Sequence, residues 1–337
     1  AEADAVFGWG IVSFVFTAWG VLTPASFSAL AWVSFAAAVA AAAYVVRRDG
    51  RLFSPGALKA ACLALPLLII AAAMTASQWD EFSHWLPATR FLIVTDHLPG
   101  AGNPVTGSAM VPAYPYGWPL LGYLAGKIAG EFVEGAGRLL NVLLLISFGL
   151  TAVRLALSAA GKEDKNIRWG WALAALAVLA GTLINPTFAQ KVALTAYADV
   201  AAAVAVGLAA VLGWKLLNDL AAGDGAGARR RAWQFALVML VLINVKQVGL
   251  VLFAVVSAGV MVTAWRDPAV GTVKFLRLVP VMVVPALILY GLWRYHIASQ
   301  MSGWPGAEIT LKPFAEWSFH LIPAILKQMA VVAAKKS

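Results

Sequence analysis

Leu58-Lys-Ala-Ala-Cys-Leu-Ala-Leu-Pro-Leu-Leu-Ile-Ile-Ala-Ala-Ala-Met-Thr-Ala76 is followed at once by Ser77-Gln-Trp-Asp-Glu-Phe-Ser-His-Trp85. The first stretch is apolar except for Lys59 near its start, and about 20 such residues in a helix cross a bilayer. The second sets two adjacent carboxylates, a histidine and two tryptophans where that helix leaves the membrane. A charged side chain costs about 2.5 to 3.5 kcal/mol at the centre of a spanning helix. Asp80 and Glu81 therefore belong at the rim, within reach of a lipid head group and of water.

The rest of the chain agrees with that reading. Its 337 residues are 61% hydrophobic and 12% charged, and the mean hydropathy of +0.81 excludes a soluble globule. Spans are expected near 6–22, 27–46, 58–77, 135–154, 169–186, 199–215, 232–247, 249–265, 278–296 and 318–334. The fold class is all-α: a polytopic transmembrane helical bundle of about ten spans.

The net charge of +9 does not point to nucleic acid, because the basic residues form no stripe beside aromatics. They mark topology instead. If Arg47-Arg48-Asp49-Gly50-Arg51 is cytoplasmic, that side collects 17 of the 25 Lys and Arg, in keeping with the positive-inside rule. The same orientation puts His84, His97, His296 and His320 on the outer side, with Asp80, Glu81, Asp96, Glu131, Glu134 and Asp199. Cys62 is the only cysteine and lies within a span, so an intrachain disulfide is excluded. Residues 6–22 lack a basic leader and are read as a helix, not a cleaved signal. The start at Ala-Glu-Ala-Asp and the stop at Lys-Lys-Ser suggest that one or both ends are incomplete.

The longest stretch that does not span is 78–134, on the expected outer side. Trp79 to Val94 carries apolar residues near helical spacing, as in a helix lying in the membrane interface. The segment from His97 to Gly107 is rich in Gly and Pro and reads as a loop. Tyr114-Pro-Tyr-Gly-Trp-Pro-Leu-Leu-Gly-Tyr123 then opens a second interfacial helix. The aromatic set Trp79, Trp85, Tyr114, Tyr116, Trp118 and Tyr123 is expected to form an interfacial belt.

Several residues stand out as chemistry. Asp80 at a dry rim suits a general base, with Glu81 as its partner or a metal ligand; the competing reading is a helix cap in Ser77-Gln-Trp-Asp80. His84, one turn on, could orient Asp80 or bind phosphate. Lys246 interrupts the apolar stretch from Trp233 to Trp265 and needs an anionic partner. Arg138 and Lys191, with Arg90 and Arg294, could clamp a phosphate head group. Asp199 would be a second carboxylate facing Asp80, or a favourable charge at a helix N-terminus.

The order of these pieces resembles the C-type (GT-C) integral membrane glycosyltransferases. The resemblance rests on Trp79-Asp80-Glu81, Tyr114-Pro-Tyr-Gly-Trp-Pro-Leu-Leu, Gly137-Arg138-Leu-Leu-Asn, Tyr197-Ala-Asp199 and Lys246-Gln-Val-Gly249, and covers roughly 58–265. It implies one transmembrane domain over 1–337 and transfer of a sugar from a polyprenyl-phosphate donor to a lipid or glycan acceptor. The partners it implies are that donor, the acceptor and membrane lipids, with no nucleic acid. It places the work at the outer face of a bacterial plasma membrane. Asp80 would be the base or would hold a divalent cation (Mg or Mn), with Asp199 as the other candidate metal ligand. Lys246 and Arg138 would lie near the donor phosphate. Two extra spans before the acidic loop and the lack of a soluble C-terminal domain depart from the family pattern. A transporter or flippase for a lipid-linked or anionic solute is the alternative that Lys246 suggests, and a non-catalytic membrane subunit is a third reading.

Overall fold

The computed structural model describes residues 2–105, 110–161, 169–185, 188–307 and 313–336. Its regular structure is helical, with no strand among the described residues. The helices are α1 (Asp4–Leu22), α2 (Phe27–Asp49), α3 (Pro55–Ala73), α4 (Leu86–Thr95), α5 (Pro119–Ala129), α6 (Ala136–Ala159) and α7 (Trp171–Gly181). They continue with α8 (Gln190–Ala193), α9 (Asp199–Ala221), α10 (Gly225–Val245), α11 (Gly249–Arg266), α12 (Thr272–Leu276), α13 (Val279–Gln300) and α14 (Ile322–Lys336).

Among the described residues seven segments are long and apolar enough to cross a membrane: α1, α2, α3, α6, α9, α11 and the run Thr272–Gln300 that contains α13. Seven of the ten expected stretches coincide with these segments, so the count of about ten is not reached among the described residues, and the other three differ for visible reasons. The stretch 169–186 forms only the short helix α7, which ends at Gly181. The stretch 318–334 folds as one single-turn 3-10 segment, Phe319–Leu321, and the helix α14, whose described side chains are exposed. The stretch 232–247 is the second half of α10, whose first turns carry Arg229, Arg230 and Arg231.

That α10 is the centre of the molecule. Ala232 and every residue from Leu240 to Val245 are buried, as are Phe235, Val238 and Met239, so the helix is apolar all round in this half and packs on every side. Helices α9, α13, α1 and α11 surround it, while α3, α6 and α7 form a second group joined to the first through α6 and α9. Helices in lipid approach closely where small residues meet. A Cβ on Gly10 of α1 would overlap the carbonyl oxygen of Leu237 in α10. Gly149 of α6 and Gly181 of α7 form a reciprocal pair, each facing a carbonyl of the other helix.

Successive helices reverse direction, so α3, α6, α9, α10 and α11 bring the ends Ala73, Ala136, Asp199, Val245 and Gly249 to one end of the bundle. The segment 74–135 closes that end. It holds the two expected helices, as α4 and α5, which pack on each other through Thr89 against Gly122 and Ile93 against Gly126. Residues 106–109 lie outside the described residues.

The expected aromatic belt is corrected. Only Trp79 is largely exposed; Trp85, Tyr116, Trp118 and Tyr123 are buried. The segment Tyr114–Trp118 descends between α1, α10 and α13, where the Gly117 N–H donates to Asn244 O at 3.0 Å and Trp9 Nε1 donates to Gly117 O at 2.9 Å. Tyr116 meets Trp293, and Trp118 meets Trp9. These rings are core of the bundle, because a glycine lets the chain between them pass close to α10.

Asp96 ties the same end together from another side. It sits in the left-handed region (φ 62°), which Asp tolerates better than most residues. Its carboxylate accepts from Tyr123 Oη (2.5 Å), from Lys127 Nζ (2.9 Å) and from the Ser28 N–H (2.9 Å), locking α4 and α5 to the start of α2. Burial works against its charge, but these bonds prevail and hold its pKa well below the usual carboxylate value.

Candidate functional site

Between α3 and α4 the chain makes one π-helical turn, Glu81–Trp85. Pro87 follows at the second position of α4 and has no N–H to offer. The carbonyl of Ser83, four residues before it, is thereby free and accepts from Met110 N at 2.7 Å. Such turns are frequent at functional sites. This one points successive side chains in different directions.

Glu81 points inward. Its Oε1 accepts from Arg138 Nη1 (3.1 Å) and from the Ala196 N–H (2.8 Å), and its Oε2 accepts from the N–H groups of Ser77 (2.9 Å) and Gln78 (3.0 Å). Arg138 and Glu81 are both 1% exposed. The guanidinium also donates to the carbonyls of Ala71 and Met74, and Glu134 lies 3.5 Å from it. Neither residue matches its sequence expectation: Glu81 has no lone pair directed at a substrate, and Arg138 has no open edge for a phosphate. Their pair pins the end of α3, the π turn, α6 and the segment before α9 to one another.

Asn141, one turn after Arg138 on α6, completes that work. Its Nδ2 donates to the carbonyls of Thr195 (2.9 Å) and Tyr197 (2.8 Å), while Trp118 Nε1 donates to Ala196 O (2.8 Å). With residues 195–197 held on three sides, Tyr197 and Asp199 take fixed positions. Tyr197 Oη accepts from the Asp80 N–H at 3.0 Å. Burial raises the Tyr197 phenol pKa; the bond from Asp80 opposes this, and the charges of Asp80, Glu81 and Asp199 add to it. Asp80 and Asp199 thus both act on one tyrosine.

Asp80 occupies the residue before the π turn, and its side chain makes no capping bond. Among the described residues its carboxylate has no hydrogen-bond or ion-pair partner. The cap that its sequence suggested is made instead by Glu81, which takes the two N–H groups.

Lys246 ends α10 in extended backbone and starts the three-residue turn to α11, where Gly249 lies against the carbonyl of Leu242. Its Nζ pairs with Asp199 at 3.0 and 3.2 Å, both partners partly exposed. The cation lies 6.0 Å from the centroid of the Trp85 ring. His84 stands edge-on between Trp85 (4.5 Å) and Tyr114 (4.9 Å), with both ring nitrogens unpartnered. It therefore does not orient Asp80. Burial, and then the charge of Lys246, push its pKa down to about 4, so the ring is neutral at pH 7.

Asp80, His84, Asp199 and Lys246 are thus gathered around Tyr197, Trp85 and Tyr114. Lys191 is not: it stands exposed on α8, with no contact to the others among the described residues. Arg90 is exposed on the far side of α4, beside a groove of about 590 Å³ walled by Phe82, Leu86, Phe91 and Val94. For a divalent cation, no group of three or more His, Cys, Asp or Glu comes together among the described residues. Asp199 is already paired with Lys246, so a protein-held metal centre does not fit this set.

Tyr197 and Asn141 stand in the motifs quoted from the sequence, but sequence reasoning assigned a role to neither. The spacing of Arg138 and Asn141, three apart at the head of a span, was the available signal. No family model, curated protein or solved structure matches the chain.

Proposed function

We propose that this protein is a membrane glycosyltransferase that moves a sugar from a polyprenyl-phosphate donor to the hydroxyl of a lipid or glycan acceptor, with Asp80 as general base. The reading has its site at the outer face of a bacterial plasma membrane, at the end of the bundle closed by residues 74–135. The observation that carries it is the pairing, across one tyrosine, of an unpartnered carboxylate, Asp80, with a cation, Lys246, held only by a partly exposed carboxylate.

The chemistry asks for these two groups. The acceptor oxygen forms a bond to the anomeric carbon as the bond from that carbon to the phosphate oxygen breaks. The hydroxyl proton goes to Asp80. The phosphodiester monoanion leaves as a monoester dianion, so one negative charge develops where a cation is most useful. Lys246 meets that charge by exchanging Asp199 for the phosphate. No strong general acid is required, and His84 is given no part in the transfer step.

The test is transfer from radiolabelled polyprenyl-phosphate pentoses and hexoses by the full chain in nanodiscs. Asp80→Asn is expected to lower kcat by at least about a hundredfold, the usual contribution of a positioned base, with the fold intact. Transfer near the wild-type rate by that variant overturns the assignment. Donor lipid that crosses the bilayer without sugar transfer supports a flippase instead.

A further inference from the structure

We propose that Lys246, His84 and Trp85 form an oxyanion subsite whose filling protonates His84. The proposal rests on the function above only for the nature of the oxyanion, a phosphate.

The geometry begins with three nitrogens that have no hydrogen-bond partner among the described residues. His84 is 4% exposed and Trp85 2%, yet Nδ1 and Nε2 of the first and Nε1 of the second lack a partner. Buried polar side-chain atoms nearly always have one. The indole is a donor only, and a neutral imidazole offers one donor and one acceptor. Among the described residues the cation beside them has Asp199 as its one ionic partner. What this corner lacks is a group with several acceptor oxygens and negative charge. A neutral hydroxyl would satisfy one of these nitrogens and leave Lys246 on Asp199.

The charged and titratable groups around the imidazole are Lys246 at the end of α10, Tyr114 from the descending segment, and Asp199, the partner of Lys246, at the head of α9. Asp80 and Glu81 belong to its own turn, and Glu81 is saturated by Arg138 and three N–H groups. Burial, and then the lysine charge, disfavour imidazolium. A dianion beside Lys246 reverses that field, so the bound state holds the proton more tightly than the free state. By linkage, binding takes up a proton and affinity rises as pH falls.

The experiment is calorimetric titration of the full chain in detergent with sulfate, a dianion that does not titrate in the neutral range, at pH 6 in buffers of different ionisation enthalpy. Wild type is expected to take up close to one proton per sulfate. His84→Gln should take up almost none and bind about tenfold more weakly, the loss that follows removal of one hydrogen bond to a charged group. Lys246→Met should abolish binding. Absence of sulfate binding, binding without proton uptake, or uptake that persists in His84→Gln overturns the proposal. If His84→Gln does not fold, the ring nitrogens of His84 are followed by NMR in the wild type, where unchanged shifts on adding sulfate overturn it equally.

Inorganic phosphate and a short prenyl phosphate, compared on the same protein, separate the two sources of the anion. Tighter binding of the prenyl phosphate assigns a lipid-linked ligand, and equal binding a free one. Sugar transfer is not read here, so a failed transferase assay beside proton-coupled sulfate binding removes the proposed function and leaves the subsite standing.

Discussion

Glu81→Gln separates a structural carboxylate from a catalytic one. The side chain receives four hydrogen bonds, two of them from the buried Arg138 and Ala196 N–H and two from the more accessible Ser77 and Gln78 N–H groups. A glutamine has one acceptor oxygen. Turned toward Arg138, it presents its NH2 to two N–H donors; turned the other way, it presents that NH2 to a guanidinium. Either way Arg138, 1% exposed, keeps its charge and loses its buried counter-ion, with only the exposed Glu134 carboxylate left, 3.5 Å away. Leaving one member of a buried pair uncompensated costs about 3 to 5 kcal/mol, and the retained oxygen places the glutamine near the lower figure. In a detergent-solubilised chain of this size that is a fall of about 5 °C or more in the unfolding midpoint. The assay is thermal unfolding followed by tryptophan fluorescence, with Arg138→Met and the double variant completing a cycle. The double variant is expected to recover part of the loss, because removing both charges removes the uncompensated one. Glu81→Gln with wild-type stability and no sugar transfer would refute the reasoning and return Glu81 to the catalytic set.

Asp96→Asn gives a pH signature. Because the folded pKa of Asp96 is lowered, its contribution to stability is fully present above the ordinary carboxylate value and fades as pH falls below it. The midpoint difference between wild type and Asp96→Asn should therefore be full at pH 7 and begin to close below about pH 4; a gap that grows there contradicts the assignment. Gly10→Val tests the close contact of α1 with α10: its Cβ would overlap the Leu237 carbonyl, so the helices must part at a cost of about 1 to 3 kcal/mol. An unchanged unfolding midpoint would show that α1 does not pack there.

Composition and hydropathy were enough to read the class of the molecule and the region of the candidate site. Hydropathy fixes helices in lipid, since a backbone without water must bond within its own segment, and long apolar runs such as α1, α3, α6 and α9 read directly. Asp80, Asp199 and Lys246 were also legible, because a charge at the edge of a span is costly enough to need a reason. Two things depended on the tertiary structure. One was depth: α10 has arginines in its first turns and Tyr114–Trp118 has the composition of a surface belt, yet both are core, because neighbours that are distant in sequence cover them. The other was division of labour between adjacent residues. Asp80 and Glu81 are indistinguishable by composition. A π turn directs Glu81 to Arg138 and leaves Asp80 without a partner, and that difference depends on where α6 and the segment before α9 happen to lie. Pairing is a property of three-dimensional proximity, which local periodicity does not encode.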